Sequence, residues 1–350
     1  MPPRLVFIRH PRASCRLQRS HAGCLSGKPP SCFLPRSTLT RRLKLSSLDV
    51  REASSDLLQT PPLLLLLHRL FYGTSLISPR TQNSFVMNGL ANRELVLNSV
   101  LVTGANRGLG LGIVHRLLQQ QQQASPRFIF ATCRCTDEQS AKELRNLAEH
   151  HASLLVVEMD ITDRASVERA VRVVDEAVGE EGLNLLVNNA GTLQTGSLGS
   201  LSADSMLQCY HTNAVAPAIL TEAFLPLLNR AADFNVKLPM GCQKAAVVNV
   251  SSEAGSISSV PGNFHISKVY PYRASKAALN MLIRCLAEEL KEQGILCVAL
   301  HPGWVRTRMG GSRAQIGIEE SITGILGVMA CLTEKDNGSF LDWRGQTVPW

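Results

Sequence analysis

The chain has 350 residues, 45% of them hydrophobic and 18% charged, with a formal net charge of +8. The excess is uneven: residues 1–96 carry 14 Lys/Arg against 4 Asp/Glu, net +10, which leaves 22 basic and 24 acidic residues, net −2, in the other 254. A near-neutral remainder of that size suits one globular domain with a full core and excludes a basic nucleic-acid-binding face.

Residues 1–96 are rich in Arg, Pro and Ser, and their first acid is Asp49. Such a composition predicts a disordered extension ahead of a domain spanning 97–350. An Arg- and Ser-rich, acid-poor start resembles a mitochondrial transit segment. The competing expectation is a nonfunctional extension with translation from Met87; the location expected is cytoplasmic, or mitochondrial if residues 1–86 are a genuine transit segment. The leucine run Leu63–Leu67 is cut off by His68 and Arg69, so no integral membrane segment is expected. Ten cysteines without zinc-site spacing read as reduced thiols. His115, His211, His265 and His301 form no ligand set, and no metal is expected.

From Ser99 short apolar runs alternate with helical patterns. SVLVTG (99–104), RFIFATC (127–133), LLVVEMD (154–160), LNLLVNNAG (183–191), KAAVVNVSS (244–252), ILCVALHPG (295–303) and SFLDW (339–343) read as strands. Helical spacing falls between them, at 109–123, 138–150, 164–178, about 202–231, 272–294 and 317–332. Runs without polar–apolar alternation are buried on both faces, and strand–helix alternation implies right-handed crossovers. The fold class is therefore α/β: a Rossmann-type, doubly wound parallel sheet of about seven strands with helices on both faces.

TGANRGLG follows the first strand and opens the first helix. Bare N–H groups and the positive end of a helix dipole make an anion site there. Gly104 allows the tight turn, Gly108 lets a phosphate approach the backbone, and Gly110 permits close helix–strand packing. Dinucleotide sites often carry an acid at the end of the second strand, for the ribose 2′-hydroxyl. Here Arg134 stands there, and Arg107 lies in the turn itself. Two guanidiniums suit a 2′-phosphate, hence NADP rather than NAD.

TGANRGLG, Asp160, NNAG (188–191), Asn213, VNVSS, YRASK and HPGWVRT together resemble the short-chain dehydrogenase/reductase family over about residues 98–350. NRGLGLG, PYRASKAALN and LHPGWVRT are similar in wording to its sniffer-type, C-factor-like carbonyl reductases. The resemblance implies an NADPH-dependent carbonyl reductase acting on a small-molecule aldehyde, ketone or quinone, and a homodimer formed through the two long helices. It implies cofactor contacts from Gly104, Asn106, Arg107, Gly108, Leu109, Gly110 and Arg134, from Asp160 and Ile161 at the adenine, and from Asn188, Ala190 and Gly191 beside the ribose. Pro302, Gly303 and Val305 would bracket the nicotinamide, and Thr307 would reach the diphosphate or the carboxamide.

The family pairs Tyr-x-x-x-Lys on one helix. Tyr272 and Lys276, four apart, share a face, whereas Tyr270 and Lys268 lie ahead of Pro271. The resemblance makes Tyr272 the proton donor and gives Lys276 two tasks, lowering the phenol's pKa and holding the nicotinamide ribose. Ser252, in Ser252-Glu253-Ala254-Gly255, is the implied hydroxyl donor, with Ser251 as the alternative. Asn213 would anchor a water that links the lysine to solvent. The 20 residues from Ser252 to Tyr272 imply an enlarged loop beside the pocket. Two other readings compete: an NAD(P)-linked alcohol or hydroxysteroid dehydrogenase, and a non-catalytic NADPH-binding regulatory protein.

Overall fold

Strands β1 (Ser99–Val102), β2 (Phe128–Cys133), β3 (Leu154–Glu158), β4 (Leu185–Asn188), β5 (Ala246–Val250), β6 (Leu296–His301) and β7 (Phe340–Asp342) form one sheet, ordered β3-β2-β1-β4-β5-β6-β7. Every neighbouring pair is parallel. The structure, a computed structural model, describes residues 93–121 and 124–350. The predicted disordered extension and transit segment lie outside the described residues except at 93–96. Leu95 and Leu97 are already buried in the core, so the folded part begins ahead of residue 97.

Alternate residues of each strand feed two different apolar layers, which is why the strands read as unbroken hydrophobic runs. Val100, Val102, Ile129, Val187 and Val248 join one layer with helices α1 (Gly108–Leu118), α2 (Lys142–His150) and α8 (Ile318–Cys331). Leu101, Phe130, Leu186 and Val247 join the other with α3 (Arg164–Val178) and α5 (Ala216–Phe234). Helix α7 (Tyr270–Glu289) lies beside them through Leu279 and Ile283, against Ala299 and Phe340. Each fully buried Val, Leu or Ile contributes roughly 1.5–3 kcal/mol, so the sheet's centre outweighs any single surface contact.

Helix α1 ends at Leu118, short of the 123 expected, and Gln119 and Gln121 are exposed. Gln120 instead turns back, with its side-chain oxygen accepting from Leu95 N at 2.9 Å. The stretch read as one helix over 202–231 is three pieces: α4 (Ala203–Tyr210), a π-helical turn His211–Val215, and α5. The cause is visible in HTNAVAP. Pro217 has no N–H to give the carbonyl four residues back, which is that of Asn213, and a π turn absorbs the lost bond. The enlarged loop after β5 holds a 3-10 turn, Glu253–Gly255, and a short helix α6, Val260–Asn263.

Candidate active site

The strand order reverses between β1 and β4, which opens a crevice at their C-terminal ends. The turn after β1 bounds it on one side. Gly104 and Gly108 have φ of +63° and +59°, which side chains rarely adopt. A Cβ on Gly110 would stand 2.5 Å from the carbonyl oxygen of Gly104. No side chain caps α1, and its first turn carries no acid, so its N–H groups face outward unopposed. A Cβ on Gly108 would come 3.8 Å from Thr307 Cγ2, so the loop after β6 faces the same cradle. Arg107 and Arg134 are both exposed, and among the described residues neither is in an ion pair. These features fit a dinucleotide bearing a further phosphate.

The other expected cofactor residues are distributed around this crevice. Asn106 donates to Ser140 Oγ at 3.0 Å, tying the glycine turn to the segment after β2. Asp160 Oδ1 accepts from Thr162 N at 2.9 Å and from its hydroxyl at 2.7 Å. Leu109, Ile161 and Ala190 are half-buried, while Pro302 and Val305 are buried. Gly303 has φ of +82°, and a Cβ there would stand 2.5 Å from Ile316 Cδ1. The Asn188 side chain is buried and donates to Asn249 at 2.9 Å and to Thr221 at 3.4 Å. The next residue, Asn189, does more at the crevice: its amide donates to Thr103 O at 2.7 Å, and its N–H to Thr103 Oγ1 at 2.9 Å. The doubled asparagine in NNAG was the only signal for it.

On the facing side, α7 starts at Tyr270 rather than Tyr272. Pro271 sits in its first turn, where a missing N–H costs nothing. Tyr270 N donates to Gly196 O at 3.1 Å, and its ring meets Phe264 edge-on at 5.5 Å. Tyr272 and Lys276 share a face as expected, with Lys276 Nζ 5.8 Å from the Tyr272 ring centre. Of the two serines, Ser251 is buried and donates to Asn280 Oδ1 at 2.5 Å. Ser252 is half-buried; its oxygen accepts from Ala254 N at 3.2 Å, and its hydroxyl faces the Tyr272 phenol within hydrogen-bonding reach.

Burial pushes the Tyr272 phenol up to about 12; Ser252 beside it pulls the other way, and Cys209 pushes it further up. Burial likewise brings Lys276 down to about 8, with Cys209 opposing. Lys276 is not among the groups that set the phenol's shift; its ammonium donates to Val250 O at 2.7 Å. The result is a phenol held protonated, suited to donating a proton. Cys209, fully buried on α4, is a third titratable neighbour that sequence reasoning missed.

Asn213 is fully buried in the π turn. Its amide donates to Thr192 O at 2.8 Å and to Ser275 Oγ at 3.0 Å, and its oxygen accepts from Thr192 N at 2.8 Å. It therefore joins the loop after β4 to the residue beside Lys276. His301, at the end of β6, stands 3.9 Å from Glu253, and burial lowers it to about 4. A groove of about 330 Å³ lined by Lys244, Lys291 and Glu334 lies ahead of β5–β7, at the strands' N-terminal ends and away from this cluster. The seven cysteines of the described part are free, no group there could hold a metal ion, and no helix there is long and apolar enough to cross a membrane.

Residues 98–316 match the family model of the short chain dehydrogenases. The chain belongs to that family. It is similar to the NADPH-bound carbonyl reductase from chicken fatty liver, with 45% identity, TM-score 0.71, and coverage of 74% of this chain and 96% of the other. It is also similar to the carbonyl reductase Sniffer of D. melanogaster, at 40% identity and TM-score 0.69, over 73% of this chain and all of that one. Among curated relatives, the C-signal protein of Myxococcus xanthus is 35% identical over 169 residues, 48% of this chain and 93% of its own. As a short chain dehydrogenase with carbonyl-reductase neighbours, the protein is an oxidoreductase acting on carbonyl or CH–OH groups.

Proposed function

We propose that the protein is an NADPH-dependent carbonyl reductase acting on an aldehyde, ketone or quinone. The observation that carries the reading is one desolvated cluster, Ser252, Tyr272 and Lys276, across the strand ends from an uncapped, glycine-lined helix N-terminus. A reduced nicotinamide held along the crevice would supply the hydride for the carbonyl carbon. Tyr272, held protonated by burial, gives its proton to the carbonyl oxygen as negative charge develops there. The Ser252 hydroxyl, beside the phenol, donates to the same oxygen. Lys276 brings a positive charge to the cluster and a donor for the nicotinamide ribose, while Asn213 is a positioning residue that braces Ser275 and the loop after β4.

The turn Gly104–Gly110 would hold the diphosphate, Arg107 and Arg134 the 2′-phosphate, Asp160 and Ile161 the adenine, and Ala190 and Gly191 the ribose. Pro302, Gly303, Val305 and Thr307 would face the nicotinamide end. We further propose a homodimer, through α4, α5 and α7, whose Leu207, Tyr210 and Met281 are exposed, and a cytoplasmic location. Sedimentation and imaging of the full chain test these two. The test of the activity is NADPH oxidation by the purified protein against aldehydes, ketones and quinones. Consumption with at least one of them supports the reading, and none above background with any of them rejects it.

A further inference from the structure

Arg273 follows Tyr272 in YRASK, yet neither the phosphate cradle nor the proton-transfer cluster uses it. It is a buried cation, only 9% exposed. Desolvation lowers its pKa, with Glu253 opposing, and among the described residues it forms no ion pair. Its guanidinium is satisfied instead by the loop after β5. Nη1 donates to Asn263 Oδ1 at 2.8 Å, Nε to Ser267 O at 2.9 Å, Nη2 to Asn263 O at 3.0 Å and Nη1 to Ala254 O at 3.4 Å. Its Cζ also lies 5.5 Å from the centre of the Phe264 ring. Burying a charge without an opposite charge is unfavourable unless every donor finds an acceptor. Here the acceptors all come from one loop, which is thereby fixed to the first turn of the catalytic helix.

We propose that Arg273 is a positioning residue for substrate binding. It holds residues 254–267 on α7, so that Phe264 and Tyr270, edge-on at 5.5 Å, stand as a fixed wall beside Tyr272. The kinetic half of this inference rests on the carbonyl-reductase reading; the anchoring half does not. One branch of the anchor reaches the chemistry, because Ala254, which accepts from Arg273, donates its N–H to Ser252 Oγ at 3.2 Å. That branch is the longest of the four. Loss of the guanidinium therefore falls first on the outer loop, and on KM more than on kcat.

The experiment compares Arg273→Ala and Arg273→Lys in the full chain. Amide hydrogen exchange of residues 257–267 is expected to speed up by about tenfold or more in both, with NADPH binding within about twofold of wild type. With a carbonyl that the wild type reduces, KM should rise about tenfold or more, while kcat falls less than about threefold. Lysine should not rescue, since one ammonium cannot bridge Asn263, Ser267 and Ala254 together. Guanidinium ion in solution should partly restore KM of Arg273→Ala. If that variant does not fold, Arg273→Lys carries both readouts. Unchanged exchange in a folded variant overturns the anchor, and a fall in kcat at constant KM overturns the role in substrate binding. A wild type that reduces no carbonyl defeats the reductase reading alone, and the exchange measurement still decides the anchor.

Discussion

The ammonium of Lys276 donates a 2.7 Å hydrogen bond to the carbonyl oxygen of Val250, the last residue of β5. The bond ties the catalytic helix to the strand that delivers Ser252, and it holds a cation in a site that burial makes hostile to charge. Two effects then oppose each other when the charge is removed. A lost bond to a charged donor costs about 1.5–3 kcal/mol. Relief of a lysine held near 8 instead of 10.5 returns at most about 3 kcal/mol at neutral pH.

Lys276→Met is accordingly expected to lose turnover while its unfolding free energy at pH 7 changes by less than about 2 kcal/mol. The pH dependence separates the terms. Because the folded pKa lies below the unfolded one, the unfolded chain binds more protons between about 8 and 10.5, so this group's contribution to stability rises with pH across that window. Denaturant titrations from pH 7 to 10 should show the wild type gaining on Lys276→Met. A constant difference would mean that the lysine is not held near 8.

Ser251 and Ser252 should part cleanly. Ser252→Ala removes the hydroxyl that faces the Tyr272 phenol and is expected to lower kcat about 10²-fold or more with little change in stability. Ser251→Ala strands the buried Asn280 oxygen it donates to, and should cost about 1–3 kcal/mol of stability with kcat largely kept. Kinetics beside thermal melts on both variants decide it, and the reverse pattern would make Ser251 the donor.

Replacing Arg107 and Arg134 together by Ala should shrink the NADPH over NADH preference in kcat/KM about tenfold or more, since each bond to a charged group contributes roughly 1.5–3 kcal/mol. Neither residue packs in the core, so the melting temperature should stay put. An unchanged ratio would move 2′-phosphate recognition elsewhere.

What could be read ahead of the structure was whatever rests on local pattern. The unbroken apolar runs of β1 to β6 exist because both sheet faces are covered, and the glycine turn announces itself because Gly104 and Gly108 need positive φ. What could not be read depends on partners far along the chain. Ser251 differs from Ser252 because its hydroxyl donates a hydrogen bond to Asn280, 29 residues on, whereas Ser252 meets Tyr272. The Tyr272 phenol is raised rather than lowered because burial is a property of the assembled fold. Asn188 points into the packed interior and Asn189 toward the glycine turn, a distinction set by strand pleating. The π turn at Asn213 was within reach, since Pro217 removes the N–H its carbonyl would have used, and so was the start of α7 at Tyr270, where proline is tolerated in a first turn.

The central claim is that Tyr272 donates the proton, and two phenylalanine substitutions test it most directly. Tyr272→Phe keeps the ring and removes only the hydroxyl, so carbonyl reduction should fall by about 10²–10⁴-fold, and further if Ser252 and Lys276 act with it as one unit. NADPH binding, measured by fluorescence, should survive, because Lys276 is left in place and the phosphate and adenine positions lie on other elements. Tyr270→Phe keeps its contact with Phe264 and should alter KM at most. If Tyr270→Phe is instead the inactive enzyme and Tyr272→Phe retains its rate, the assignment of the proton to Tyr272 is wrong.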